Sequence, residues 1–147
     1  MTPYRFERLN PLRFPLVARF YKTHYPSGAP RKDEVIWTAE GEKGLCGAVR
    51  FRQFDTDRFQ LLTGMLIAPE LRRQKLGVAL LEAVQEQIDL VPCYCLAFRH
   101  LVPLYQQAGF NVIDVQALPA SLKGRYISYC NGGKDLVPMM FASREQC

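Results

Sequence analysis

Three cations crowd into four positions at Arg72, Arg73 and Lys75, at the point where an apolar run gives way to a helical pattern. The stretch Met65-Leu66-Ile67-Ala68-Pro69-Glu70-Leu71-Arg72-Arg73-Gln74-Lys75-Leu76-Gly77-Val78-Ala79-Leu80-Leu81 reads as a strand, a basic loop and the opening of an amphipathic helix. The first amide N–H groups of a helix lack internal partners, and the helix dipole places partial positive charge there. A phosphate at that end satisfies the donors. Gly77, without a side chain, lets the backbone approach an anion closely. Basic residues in a first helical turn cost about 0.3–1 kcal/mol each unless something negative faces them. The cluster therefore points to a bound anion of the phosphate class.

Other groupings carry less chemistry. Cys46, Cys93, Cys95, Cys130 and Cys147 are odd in number and lack paired C-x-x-C spacing, which fits free thiols in a reducing compartment. Cys93 and Cys95 fall on one face of a strand, a core arrangement. His24 and His100 are far apart, and no Cys/His spacing suits zinc. There is no G-x-G-x-x-G, Walker loop or G-x-S-x-G elbow. Glu34, Asp57 and the two histidines are the ionisable groups that could serve as a base, and none is singled out by its setting.

The segment from Pro69 to Leu81 resembles the acetyl-CoA-binding motif of the GCN5-related N-acetyltransferases (GNAT), R/Q-x-x-G-x-G/A. Arg72 stands at its first position, Gly77 at its last, and Lys75 where the first glycine normally lies. The resemblance implies that the backbone of Met65, Leu66 and Ile67 holds the pantetheine arm. Arg73, Gln74, Lys75, Leu76, Gly77 and Val78 would wrap the pyrophosphate; a helical backbone at Lys75 accommodates lysine there, with its ammonium within reach of a phosphate, whereas a positive φ would weigh against that binding. Downstream, Leu104-Tyr105-Gln106-Gln107-Ala108-Gly109-Phe110 is similar to the family's L-Y-x-x-x-G-F segment, whose tyrosine protonates departing CoA. A phenol with pKa about 10 remains a donor at neutral pH, and a thiolate leaves faster when a donor meets it. The asparagine that many members carry seven residues earlier is replaced by Phe98, and the strand from Phe59 to Ile67 lacks the glutamate some members place there.

What the resemblance implies as a whole is an acyl-CoA-dependent N-acetyltransferase. Acetyl-CoA is the co-substrate, with no metal, and a primary amine on a small molecule or protein attacks the thioester directly while Tyr105 acts as general acid. The alternative is a non-catalytic acyl-CoA-binding or interaction module of the same fold. The implied fold is α+β (mixed α/β), a mostly antiparallel central sheet of about six to seven strands flanked by helices. A homodimer is compatible with it.

These residues need a scaffold, and periodicity supplies most of one. Strands are expected at Tyr4–Leu9, Val35–Ala39, Leu45–Phe54, Phe59–Ala68 (buried on both faces), Cys93–Phe98, Phe110–Val115 and Leu136–Phe141. Asn10 caps a helix with Pro11 in its first turn, running to about His24 on a stripe of Leu12, Leu16, Val17, Phe20 and Tyr21. A long helix runs from about Arg73 to the approach of Pro92, with Leu76, Leu80, Val84 and Ile88 inward and Glu82, Gln85, Glu86 and Asp89 outward. A short helix over Leu101–Ala108 ends on a left-handed Gly109, and Pro119–Cys130 fits a helix. The loop Tyr25–Glu34 and the segment with Arg125, Tyr126 and Tyr129 are placed to shape the acceptor pocket.

The 147 residues are expected to form a single domain over 1–147, long enough to bury a core without disulfides or metals. The 48% hydrophobic and 22% charged composition excludes intrinsic disorder and a disulfide scaffold. No apolar run is long enough to span a membrane, and the N-terminus lacks a signal pattern, so a cytoplasmic protein is expected. A net charge of +5 favours an anionic partner. Arg5, Arg8, Arg13, Arg19, Arg31 and Lys32 are scattered rather than grouped with stacking aromatics, so nucleic acid is not the expected one.

Overall fold

Asn10 begins the first helical segment as its residue type requires. Its side-chain oxygen accepts from the Leu12 amide at 2.9 Å, and Pro11 opens a 3₁₀ turn over Pro11–Arg13 that leads into α1 (Phe14–His24). The computed structural model describes residues 4–26, 28–72 and 75–141. Its strands are β1 (Arg5–Arg8), β2 (Val35–Gly41), β3 (Gly44–Phe54), β4 (Phe59–Ile67), β5 (Cys93–Phe98), β6 (Phe110–Val112) and β7 (Leu136–Phe141). The remaining helices are α2 (Leu76–Ala83), α3 (Gln85–Ile88), α4 (Val102–Gln107) and α5 (Ala120–Asn131).

The seven strands form one sheet in the order β1-β2-β3-β4-β5-β7-β6. Every neighbouring pair is antiparallel except β4 and β5, which run parallel. This is the expected mixed, mostly antiparallel sheet flanked by helices. Alternation along β4 and β5 divides the apolar residues between two layers. Leu62, Cys93 and Cys95 join the larger core with Val17, Phe20 and Tyr21 of α1 and Leu76, Leu80 and Leu81 of α2. Phe59, Leu61 and Tyr94 point the other way, into a smaller core closed by Leu118 and by Leu122 of α5. No described helix is long and apolar enough to cross a membrane.

Several expectations need correction. The α1 stripe is rotated: Val17, Phe20 and Tyr21 are buried, whereas Leu12 is 88% and Leu16 45% exposed. The long helix is broken at Val84, which leaves helical geometry at φ −98°, ψ 17°. The break turns Gln87 inward, where it donates to the Gln60 side-chain oxygen at 3.0 Å while Gln60 donates to the Gln87 carbonyl at 2.7 Å. Gln85, expected outside, is half-buried and donates to the carbonyls of Leu81 and Ala108. The β6 strand stops at Val112 because Asp114 caps a following 3₁₀ turn, accepting from the Gln116 amide at 2.8 Å.

Candidate active site

A register fault in β4 makes the site. Ala48 of β3 pairs with Leu66 and Arg50 with Thr63, so two steps on β3 face three on β4 and one residue of β4 is extra. Gly64, inside this bulge, has φ +62°. The parallel ladder between β4 and β5 covers only Gln60–Leu62 against Cys93–Cys95. Past it, β4 stays on β3 as far as Ile67 and β5 stays on β7 as far as Phe98, so the two strands separate. Thr63, Gly64 and Met65 are consequently half-exposed, not buried on both faces as expected for a central strand.

Two cavities open along this split, both bordered by Tyr25, Met65, Phe98 and Leu101. The larger, about 660 Å³, runs over Met65, Leu66 and Ile67 to Arg72, Lys75, Leu76, Gly77 and Val78. All the sequence-derived cofactor residues within the described chain thus border one groove. Arg73 and Gln74 lie outside the described residues. Arg72 has a positional task as well, since its Nε donates to the Ile67 carbonyl at 3.1 Å and ties the loop to the end of β4. His24 and His100 also border this groove.

Lys75 is not helical. It sits immediately before α2 at φ 60°, ψ 18°, a left-handed conformation that costs a residue with a side chain about 1–2 kcal/mol. The turn therefore adopts the geometry that suits the glycine normally found at this place in the motif, and lysine adopts it under strain. Gly77 is less constrained by its protein neighbours than its place in the motif implied. A Cβ there would meet Met65 and Leu104 at 3.5 and 3.6 Å, ordinary contacts.

The smaller cavity, about 200 Å³, lies between β4 and β5 and is bordered by Arg50, Thr63, Gly64, Cys95, Ala97, Tyr105, Tyr129 and Lys134, among others. Tyr105 comes from α4, with Pro103 in the first turn as expected, and its ring packs edge-on against Phe110. The residue is only 4% exposed. Burial pushes its phenol well above its ordinary pKa, with the neighbouring Cys95 thiol adding to the shift. Burial likewise pushes the Cys95 thiol up to about 12, so it stays protonated. The left-handed Gly109, φ +103°, ends the α4 segment as expected.

Of the segments expected to shape an acceptor pocket, Tyr25, Gly28 and Tyr129 border the smaller cavity. Arg125 instead lies over the Phe54 ring at 5.8 Å on the other side of the sheet. Sequence reasoning passed over Arg50 and treated Glu34 as an ordinary loop carboxylate. In the fold they form a buried ion pair at 2.8 Å, with side chains 9% and 3% exposed. The available signal was an arginine in the middle of the otherwise apolar run Leu45–Phe51. No group of three or more His, Cys, Asp or Glu suited to a metal occurs among the described residues.

Residues 32–112 match the family model of the acetyltransferase (GNAT) domain. No curated protein matches in sequence. Among solved structures, N-acetylglutamate synthase from Neisseria gonorrhoeae, complexed with coenzyme A and L-arginine, superposes with a TM-score of 0.72 at 11% identity over 98% of this chain. The chain spans about a third of that protein, 34% of its length. Arabidopsis thaliana Naa50, in complex with the bisubstrate analogue CoA-Ac-MVNAL, gives 0.68 at 11% identity over 97% of this chain and 100% of the other. A GNAT-family acetyltransferase from Staphylococcus aureus gives 0.62 at 16% identity over 94% and 98%.

Proposed function

From the premise that the chain belongs to the GCN5-related N-acetyltransferase family, we propose that residues 1–147 act as one acyl-CoA-dependent N-acyltransferase domain. It moves an acetyl group from acetyl-CoA to a primary amine. The observation that carries this reading is the pair of cavities meeting at the β4–β5 split, one bordered by the basic turn and the other by Tyr105. The larger groove takes CoA: main-chain groups of Met65–Ile67 along the pantetheine arm, and the Arg72–Val78 turn at the diphosphate. The smaller cavity takes the acceptor.

In the reaction the amine nitrogen attacks the thioester carbonyl carbon. A C–N bond forms, the C–S bond breaks, and the sulfur leaves as it receives a proton from the Tyr105 hydroxyl. The attacking nitrogen loses its proton to solvent, and Tyr105 is reprotonated from the same source. Catalysis is chiefly the placement of two substrates beside one donor. Thiol release from acetyl-CoA in the presence of an amine panel tests this. Tyr105→Phe is expected to lower kcat about 10²-fold or more with CoA affinity retained, and unchanged turnover would remove Tyr105 from the role.

A second reading, a CoA-binding module without turnover, draws on two observations. Lys75 is strained where glycine is usual, and no carboxylate or histidine borders the smaller cavity among the described residues. Saturable CoA binding with no amine-dependent thiol release would favour it.

A further inference from the structure

The smaller cavity holds an incomplete polar site. Arg50 rises from β3 with its side chain only 9% exposed. Its Nη1 donates to Glu34 at 2.8 and 3.2 Å and to the Ala29 carbonyl at 2.9 Å. Its Nε is buried with no partner. An unmet buried donor costs about 1–3 kcal/mol, more when charged, so the folded chain retains this donor at a loss. The guanidinium is also held in place, with its carbon 5.1 Å from the centre of the Tyr21 ring. Tyr21 in turn donates to the Gly64 carbonyl at 2.6 Å.

Gly64 packs directly against one edge of the guanidinium. A Cβ on that residue would stand 2.4 Å from Nε and 2.9 Å from Nη2. The Nε–Nη2 edge therefore lies against the bulge that floors the cavity, and Arg50 as a whole borders that cavity. Glu34 does not take all of the guanidinium's donors. An arginine has five N–H donors, and Glu34 and the Ala29 carbonyl share those of Nη1.

Charge narrows the ligand further. Among the described residues that border the cavity there is no Asp or Glu, whereas Arg50 and Lys134 both do so. Lys134 holds its Nζ 4.8 Å from the centre of the Tyr129 ring. Glu34 offsets Arg50, and Lys134 leaves the pocket net positive. A polycationic acceptor would bring ammonium groups to a wall with nothing negative to meet them. At about 200 Å³ the cavity is also below the ~300–1,000 Å³ typical of drug-sized ligands, which fits a small molecule.

We propose that the acceptor is an amino-acid-like molecule whose amine lies beside a carboxylate, drawn by the guanidinium of Arg50 with Lys134 supplying the second positive charge. This rests on the reading of the smaller cavity as the acceptor side. Tyr105 borders the same cavity, so a carboxylate on Arg50 leaves the neighbouring amine inside the site.

The test separates binding from turnover. CoA-loaded protein is titrated calorimetrically with each of the twenty L-amino acids, their carboxamides and the corresponding decarboxylated amines, and thiol release from acetyl-CoA is followed with the same panel. At least one amino acid is expected to bind saturably, with its amide and decarboxylated amine about 100-fold weaker or more. The double variant Arg50→Gln/Glu34→Gln, which leaves no unpaired buried charge, is expected to lose most of the preference for acid over amide and to keep only the several-fold part that Lys134 supplies. Lys134→Ala, at an exposed position and independent of core folding, is expected to weaken the acid several-fold and leave the amide unchanged. Equal binding of acid and amide by the wild type, preferred binding of a polyamine, no binding by any of the twenty, or undiminished preference in both variants would overturn the assignment. Acid-selective binding without thiol release would support it while refuting the transfer reaction.

Discussion

Lys75→Gly separates the cost of the basic turn from its use. Lysine at φ 60° carries about 1–2 kcal/mol of left-handed strain that glycine does not. Its charge, directly before α2 and without a side-chain cap, adds about 0.3–1 kcal/mol of unfavourable interaction with the helix dipole. Against these, glycine loses about 0.5–1 kcal/mol more backbone entropy on folding. The balance favours the variant by about 1 kcal/mol, or about 2–4 °C in Tm for a chain of this size. CoA affinity should move the other way. Removing one cation beside a diphosphate at a helix N-terminus costs about 0.3–1 kcal/mol, roughly a two- to five-fold rise in Kd. Thermal melting of the ligand-free protein and calorimetric titration with CoA provide the two readings. A lower Tm would refute the strain argument, and unchanged CoA affinity would refute the placement of Lys75 beside the phosphates.

Two further outcomes follow from the same geometry. Burial raises the Tyr105 phenol, and a phenol donates only while protonated, so a raised pKa extends the donor's working range upward. kcat should therefore show no alkaline decline between about pH 8 and 10, and a fall centred below about pH 9 would assign the proton to another group. Gly109→Ala and Gly77→Ala should diverge in thermal melts. At Gly109 the φ is +103° and a Cβ would stand 2.8 Å from Phe141 Cε1, which predicts a loss of about 1–3 kcal/mol. At Gly77 the space is ordinary and the helical propensity of alanine predicts no loss. Equal destabilisation of both would refute the distinction.

Local signals carried much of the fold. The Asn10-Pro11 start, the β3 and β4 runs, the Gly109 stop and the extent of β5 and β7 all follow from residue type and period, because each depends on neighbours within a few positions. What depended on distant partners was not legible. The break at Val84 accompanies the pairing of Gln87 with Gln60, which lies on another element. The orientation of the α1 stripe depends on which face meets β3, and both Leu16 and Val17 satisfy the same periodicity. In the site, the basic turn and the Tyr105 segment are contiguous stretches and were visible as such. The bulge at Gly64 and the ion pair of Arg50 with Glu34 arise from strand register and a contact sixteen residues apart, so only the folded chain brings them together. At Lys75 both a helical and a positive-φ backbone were open from the sequence: residue type argues against the left-handed state, and the turn imposes it.

The central claim is that the turn from Arg72 to Val78 grips a diphosphate at the head of α2. Parallel calorimetric titrations of the full chain with CoA and with pantetheine, which shares the thiol arm but has no phosphate, test it most directly. Saturable CoA binding with pantetheine about 100-fold weaker or more is the expected result, since charge-assisted contacts each contribute about 1.5–3 kcal/mol. Equal affinities for the two ligands, or no heat with CoA, would contradict it.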